Sequence, residues 1–405
     1  MSERFDLAIV GGGMVGASLA VAVAPLGLKV ALVEAVPYDS AAQPSFDERT
    51  TALSNGSRRI LDTLGIWDAV AAAATPIHKI HVSDQGHFGF ARIDASEQQL
   101  PALGYVLPNR ALGAALWSRI LADGAVRVWS PAQVLAVTPG AEWTRLELEG
   151  GDALETRLVV AADGVHSAVR SAFGIAATSR DYGQTAVITA VLPRRFHDHV
   201  AYERFTPTGP LALLPLADGR CTLVLTLDHA TAERAMTWTD AQFLTEVQGR
   251  FGFRLGRFLK VGRRIAYPLA LTEAARTTAA RCAIIGNAAQ GLHPVAGMGF
   301  NLGLRDAACL AETIADGRHD GVMDCGGAPV LAAYEAWRAA DRRAIIGFTD
   351  GLVRVFSNPL GTVRRLRNLA LLAFDLLPPA KAALSALSTG AGGRIPRLAR
   401  GVSLR

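Results

Sequence analysis

Residues 4–16 read Arg4-Phe5-Asp6-Leu7-Ala8-Ile9-Val10-Gly11-Gly12-Gly13-Met14-Val15-Gly16. The first seven residues are a short apolar run of the kind that forms a buried strand. The glycines that follow fit the spacing G-x-G-x-x-G at Gly11, Gly13 and Gly16. Glycine allows a tight turn and a close approach of the backbone to a ligand, because it carries no Cβ. This stretch therefore predicts a strand, a phosphate-binding loop and the start of a helix.

The residues that follow complete a βαβ unit. Ala17 to Leu26 is small and apolar, as suits a helix packed on a sheet, and Lys29 to Val33 is a second strand that ends in Glu34. An acid about 20 residues after the glycines can accept a hydrogen bond from a ribose hydroxyl. We therefore expect Glu34 to bind a dinucleotide together with Gly11, Gly13, Met14, Val15 and Gly16. The alternative is a glycine-rich turn in an ordinary βαβ unit.

A second glycine-rich loop lies near the C-terminal third, between Gly286 and Gly303. Ala283 to Ile285 forms a strand before it, and Asn301 to Thr313 follows a helical period. The free N–H groups of such a helix favour an electron-rich oxygen, and the N1–C2=O edge of a flavin fits that description. A loop at each end of the chain favours FAD over NAD. The residues expected at the flavin are Gly286, Gly297, Met298, Gly299, Phe300 and Asn301.

A third segment lies between these loops and makes a resemblance explicit. Leu158 to Arg170 predicts a buried strand, a tight turn at Asp163-Gly164 and a helix start. With all three motifs in order, the chain resembles the flavin monooxygenases of the p-hydroxybenzoate hydroxylase fold. The resemblance implies that Asp163 contacts the FAD pyrophosphate and the incoming nicotinamide nucleotide. Where that family has Gly-Asp, this chain has Gly286-Asn287, and an amide oxygen can accept the same hydrogen bond.

The resemblance narrows to the ubiquinone-biosynthesis hydroxylases, and within them to the 2-octaprenyl-6-methoxyphenol hydroxylase branch. It is carried by residues 46–67, 81–87 and 203–215 and extends from about residue 5 to about residue 350. It implies that Arg49 and Arg110 contact FAD, although each could form an ordinary salt bridge. It places Pro294 at the flavin. His293, beside that proline, is a candidate catalytic residue, with a purely structural histidine as the alternative.

The resemblance also implies a mechanism. FAD would be reduced by NAD(P)H, NADPH being one choice, and would react with dioxygen to give a C4a-hydroperoxide that attacks an electron-rich ring carbon. Catalytic roles then fall to the backbone donors Gly299 and Asn301, to Pro294 and to His293. The substrate would be a polyprenylated methoxyphenol, and a biosynthetic protein complex would be a partner. The alternatives are another ring position, a soluble phenol, or a flavin-binding scaffold.

We expect an α/β fold with a discontinuous domain arrangement. Residues 1–75, 101–177 and 281–345 would form a Rossmann-like FAD-binding domain. Residues 76–100 and 178–280 would form a β-sheet substrate domain, and residues 346–405 a helical C-terminus. Within the substrate domain, Asp218-Gly219 between two β-rich runs favours a hairpin with a tight primed turn.

Composition and charge restrict the function classes. The net charge is +5, yet residues 341–405 carry 11 basic and 3 acidic side chains, so the excess lies in the tail. Apolar runs at 352–356 and 366–377 alternate with these arginines, which suits an anionic membrane surface; the alternative is packing on the FAD domain. Nucleic acid is not an expected partner. Four scattered cysteines without metal spacing and a start unlike a signal peptide favour a cytoplasmic protein, peripheral to the inner face of the membrane at most.

Overall fold

The computed structural model describes residues 3–40, 43, 49–87, 89–293, 297–356 and 394–404. It confirms the predicted α/β class: a largely parallel sheet with helices, a second sheet, and helical structure near the C-terminus. The predicted division into three domains stays a prediction. The helices are α1 Met14–Val23, α2 Asn55–Thr63, α3 Trp67–Val70, α4 Asn109–Asp123, α5 Ala168–Ala172, α6 His229–Thr237, α7 Asp240–Phe251, α8 Met298–His319 and α9 Ala328–Phe356.

The strands form three sheets among the described residues. The first sheet contains β1 Glu3–Val10, β2 Val30–Val33, β8 Val126–Trp129, β9 Val134–Thr138, β10 Thr144–Leu148, β11 Ala153–Ala161, β18 Thr278–Ala279 and β19 Cys282–Ile284. The second contains β5 Lys79–Asp84, β6 Phe90–Asp94, β12 Ala177–Pro193, β13 Val200–Thr206, β14 Gly209–Pro215, β15 Cys221–Asp228, β16 Phe258–Val261, β17 Ile265–Ala274 and β20 Gln290–Gly291. The third is small and contains β3 Thr50–Ser54, β4 Thr75–Ile77 and β7 Gly104–Pro108.

The first sheet has the order β18-β19-β11-β1-β2-β8, and the strands from β19 to β8 are parallel. Its central strands are apolar on both sides because both faces are covered. Leu7 and Ile9 of β1 join a core with α1, α4 and α8, while Phe5 and Ala8 face a second core on the opposite side. This burial fixes the carboxyl ends of the strands along one edge.

The second sheet lies over the first and has two distinct faces. Its outer face carries Tyr202, Leu213, Leu223 and their neighbours, which pack under α6 and α7. Its inner face contacts the small third sheet: Ala201 packs with Ile77 of β4 and Val106 of β7. The alternation along each strand therefore assigns every second residue to the inner face.

The predicted hairpin is confirmed, but the prediction of its turn is wrong. β14 and β15 pair antiparallel from Leu211–Leu225 to Pro215–Cys221. Gly219 donates its N–H to the carbonyl of Leu216 at 3.1 Å, and only Gly219 has a positive φ, +80°. A primed turn requires Asp218 to be left-handed as well. The turn is instead a right-handed one followed by a glycine bulge, which absorbs the reversal without strain at the aspartate.

The end of the chain returns to the first sheet's helices. The Arg397 N–H donates to Glu312 at 2.6 Å, and Arg394 pairs with the same carboxylate at 3.1 Å. Leu398 and Leu404 are buried in the large core. These two arginines thus follow the packing alternative, whereas the predicted segment 366–377 lies outside the described residues. No helix in the described ranges is long and apolar enough to span a bilayer.

Candidate FAD and substrate site

Three loops meet at the carboxyl edge of the parallel sheet. They follow β1, β11 and β19, which are neighbours, and they contain the three sequence motifs. A Cβ built on Gly11 would lie 2.5 Å from the carbonyl oxygen of Ala162, so the first two loops touch through their backbones. The chain leaves β1 for β2 on one side and later returns as β11 on the other. This is a topological switch point, where open α/β sheets bind their ligands.

The first loop is shaped by glycines and held by Glu34. A Cβ on Gly16 would come within 1.9 Å of the Gly11 carbonyl oxygen, so α1 can begin only where residue 16 is glycine. Glu34 accepts hydrogen bonds from the N–H of Gly12 at 2.6 Å and of Val36 at 2.9 Å. A second lone pair on each oxygen remains for a ribose hydroxyl.

The N-terminus of α1 is open on the site side. Its N-cap, Gly13, makes no side-chain capping bond, and Gly13, Met14 and Val15 are only partly buried. The first N–H groups of a helix have no partner within the helix and attract an anion. These N–H groups are available to an anion, and binding of a pyrophosphate here stays a prediction.

Asp163 lies beside this site. Its Oδ2 accepts the N–H of Val169 at 3.2 Å, while its buried Oδ1 has no hydrogen-bond partner among the described residues. Burial raises the pKa of this carboxyl, chiefly through lost hydration. An orphaned acceptor next to the glycine loop fits a ligand that brings a donor, such as a ribityl or ribose hydroxyl. Arg170, by contrast, donates to the carbonyls of Ala288 and Val165 and ties two loops together.

The third loop is supported by a buried polar network that the sequence did not reveal. Asp306 of α8 accepts from the N–H of Gly286 at 3.1 Å and from Gln290 at 2.7 Å. Its other oxygen accepts from Arg338 of α9 at 2.8 Å, and Arg342 donates to Gln290 at 2.7 Å. Because Arg338 lies 32 residues from Asp306, no local pattern pairs them. Asn287 remains exposed at the tip of this loop.

The start of α8 is positioned by Asn301. The side chain accepts from the N–H of Ser54 at 2.8 Å and donates to the carbonyls of Ala52 and Gly297 at 2.8 and 2.7 Å. Its side chain is thus occupied, which leaves the backbone N–H groups of Gly299, Phe300 and Asn301 as the donors of the first turn. A Cβ on Gly299 would meet nothing within 4 Å. Open space therefore lies beside this helix start, and binding of the flavin ring there stays a prediction.

The remaining predicted residues are dispersed around this centre. His293 is buried against Tyr182, with ring centroids 5.3 Å apart, and burial lowers its pKa to about 4. Pro294 lies outside the described residues. Arg49 places its guanidinium 4.5 Å from the ring of Tyr267, and Arg110 is exposed in the first turn of α4. The ligand contacts of these residues stay predictions.

The inner face of the second sheet faces the loops of the first sheet. Thr222 of β15 is 2.9 Å from the Thr50 hydroxyl of β3, and Tyr267 lies under Arg49, so this face looks toward the loops. Glu203 of β13 lies on the same face, two residues beyond Ala201. Its partners in the neighbouring strands are Ala212 and Val82, both apolar.

Glu203 is the functional candidate that the sequence reading missed. The residue is partly buried, and its carboxyl makes no hydrogen bond or ion pair within the described chain. Burial among apolar neighbours alone raises its pKa to about 7. A buried acid with such a shift is a candidate functional group, because it can take up or release a proton near neutral pH. The sequence offered one signal, an acid within an otherwise apolar alternation.

The three loops at the switch point, with the second sheet beside them, have the arrangement of a dinucleotide-binding protein. Residues 4–348 match the FAD binding domain family. The ubiquinone hydroxylase UbiL of Rhodospirillum rubrum is 37% identical over 402 residues, covering 98% of this chain and 93% of that protein. The 3-demethoxyubiquinol 3-hydroxylase of Escherichia coli is 34% identical over 377 residues, covering 92% and 95%.

A solved structure agrees on the fold. The crystal structure of p-nitrophenol 4-monooxygenase PnpA from Pseudomonas putida has a TM-score of 0.79 at 19% identity, with 97% of this chain and 99% of that chain covered. The chain belongs to the family of FAD-dependent ubiquinone hydroxylases. FAD is therefore its cofactor, and the enzyme is a flavin monooxygenase, as the sequence predicted.

Proposed function

We propose that this enzyme hydroxylates the aromatic ring of a polyprenylated phenol in ubiquinone biosynthesis, with a polyprenylated methoxyphenol as substrate. Similarity to ubiquinone hydroxylases over nearly the whole chain carries the proposal. The apolar neighbours of Glu203, Val82 and Ala212, support it, because a prenylated ring needs apolar surroundings. NAD(P)H would be the reductant and dioxygen the co-substrate. We also propose that the enzyme associates with other proteins of the pathway and with the inner face of the membrane.

The chain's own residues would hold the cofactor at three places. The glycine loop with Met14 and Val15 would bind the pyrophosphate together with Asp163, Glu34 would bind a ribose hydroxyl, and Asn287 would bind the ribityl chain. The first-turn N–H groups of α8 would donate hydrogen bonds to the oxygen edge of the flavin ring. When bound, FAD supplies the electron transfer and the activation of dioxygen that no side chain provides.

Glu203 would act on the substrate. In its ionised form it accepts the proton from the ring hydroxyl, so the phenolate pushes electron density into the ring carbons. The apolar neighbours Val82 and Ala212 keep water away from this exchange, and they also hold the pKa near neutrality. When the proton moves from the phenol oxygen to the carboxylate, the negative charge moves from Glu203 to the phenolate, and the total charge of the site is unchanged. Hydroxylation of such a ring then needs only an electrophilic oxygen.

Gene deletion tests the substrate. In cells grown in air, loss of the gene should cause a prenylated methoxyphenol to accumulate, as measured by mass spectrometry of quinone precursors. The intact gene should relieve the block, and Gly299→Trp should not, because the indole fills the open space at α8. Normal ubiquinone in a deletion strain that has no second hydroxylase would refute the proposed substrate.

Substitution of Glu203 tests the base. Glu203→Gln keeps the shape but accepts no proton, so kcat should fall by roughly 100- to 10,000-fold while KM changes little. The kcat of the wild type should rise with pH through about 7, since the ionised form is active, and the variant should lose that rise. The exposed Glu233→Gln on α6 is the matched control. Equal kcat in Glu203→Gln and wild type would exclude the base role.

A further inference from the structure

Two adjacent loops of the second sheet expose arginines and phenylalanines together. One loop joins β12 to β13 and contains Arg194, Arg195 and Phe196; the other precedes β16 and contains Phe253, Arg254 and Arg257. The N–H of Arg194 donates to the carbonyl of Arg257 at 2.8 Å, and that of Arg195 to Leu255 at 3.0 Å. The two loops therefore form one surface, which we call the arginine–phenylalanine surface and define by these six residues.

The charges on this surface are not neutralised by the protein. All four arginines are exposed, and none pairs with a carboxylate within the described chain. Asp198 is the one carboxylate on the two loops, and the nearby Asp218 is already bound to Arg220 at 2.5 Å. Elsewhere, exposed arginines such as Arg145 and Arg119 have acidic partners. The surface therefore presents a local excess of positive charge.

The apolar members are exposed to an unusual degree. Phe196 is 51% exposed and Phe253 is 65% exposed. Charged side chains protect an edge strand such as β16 from unwanted pairing, but exposed phenylalanines beside them have the opposite effect. Rings that enter an interfacial layer, with arginines around them that reach phosphate groups, are the pattern of a protein that sits on an anionic bilayer.

We propose that the arginine–phenylalanine surface docks the enzyme on anionic phospholipid. The position of the surface connects this docking with substrate entry, and this connection rests on the proposed function. The first loop leads directly into β13 at Val200, and Glu203 follows three residues later, about 10 Å along the strand. A substrate whose prenyl chain lies in the bilayer would thus approach Glu203 from the end of the sheet that touches the membrane.

The test is co-sedimentation of the full-length FAD-loaded protein with vesicles of phosphatidylcholine, with and without phosphatidylglycerol. Arg194→Gln/Arg254→Gln/Arg257→Gln should weaken binding to the anionic vesicles by on the order of 100-fold, since each cation contributes about fivefold. Phe196→Ser/Phe253→Ser should weaken binding as well, at unchanged charge. The matched control, Arg59→Gln/Arg119→Gln/Arg145→Gln, removes the same charge from the FAD side and should bind like the wild type.

Each outcome decides the proposal. Equal binding by the wild type and the loop variants would show that another segment, such as residues 357–393, makes the contact. No binding by the wild type would leave an acidic protein as the partner of this surface. Both results overturn the proposal. Vesicle binding needs no turnover, so its failure is separate from failure of the hydroxylase assignment, which the precursor profile of the deletion strain reports.

Discussion

At the scale of single residues, the molecule places an acid where stability would favour an apolar group. Folding raises the pKa of Glu203 from 4.5 to about 7, so the unfolded chain loses this proton at lower pH than the folded one. The native state is therefore fully favoured below pH 4.5 and loses stability as pH rises through 7. Glu203→Gln removes that penalty and should raise the free energy of unfolding at pH 8 by at most about 3 kcal/mol.

Urea unfolding of wild type and Glu203→Gln at pH 5 and pH 8 measures the effect. The gain should be much smaller at pH 5, where both side chains are largely uncharged. Glu233→Gln, exposed on α6, should leave stability unchanged at both values. A variant that is less stable than the wild type at pH 8 would mean that the carboxylate is stabilised by a partner. Together with a fall in kcat, a gain in stability would identify Glu203 as a residue kept for function.

At the scale of elements, two of the glycines of α8, Gly299 and Gly303, have different surroundings. A Cβ on Gly303 would lie 2.9 Å from Val15 and 3.0 Å from the Cα of Gly286, so this glycine lets α1, α8 and the third loop touch. Gly303→Ala should destabilise the apoprotein by about 1–3 kcal/mol. Gly299 faces open space, and Gly299→Trp should leave the melting temperature of the apoprotein unchanged while the purified protein loses its yellow colour. A fully yellow Gly299→Trp protein would contradict the placement of the flavin.

The same elements show what the sequence could predict. The strands and helix around Gly11–Gly16 follow from local periodicity and turn chemistry, and so do β14 and β15. The start of α8 lies at Met298 rather than Asn301, because Gly297 takes the left-handed conformation that ends the loop. The bonds of Asn301 to Ser54 and of Asp306 to Arg338 could not be predicted, since they join segments distant in the chain. Glu203 was missed for the same reason: its apolar surroundings are supplied by β5 and β14.

At the scale of the whole molecule, four cysteines report whether the two sheets unfold together. Cys221 lies in the second sheet's outer core, whereas Cys282, Cys309 and Cys325 lie in the cores of the first sheet. All four are buried free thiols, and burial raises the pKa of Cys221, Cys309 and Cys325 to about 12. The thiolate is the reactive form. No thiol of the native protein should therefore react with a disulfide reagent at pH 8, and all four should react after denaturation.

The chain crosses between the two sheets repeatedly, and β20, which lies in the third loop, is a strand of the second sheet paired with β17. The hydroxyls of Thr50 and Thr222 add a direct link. Neither sheet can open without disturbing the other, so in moderate urea all four thiols should be labelled at one rate. Cys221→Ala should remove a quarter of the signal without changing that rate. A separate, faster phase that disappears in Cys221→Ala would instead show that the substrate-side sheet opens alone, which would give a prenylated substrate a second way in.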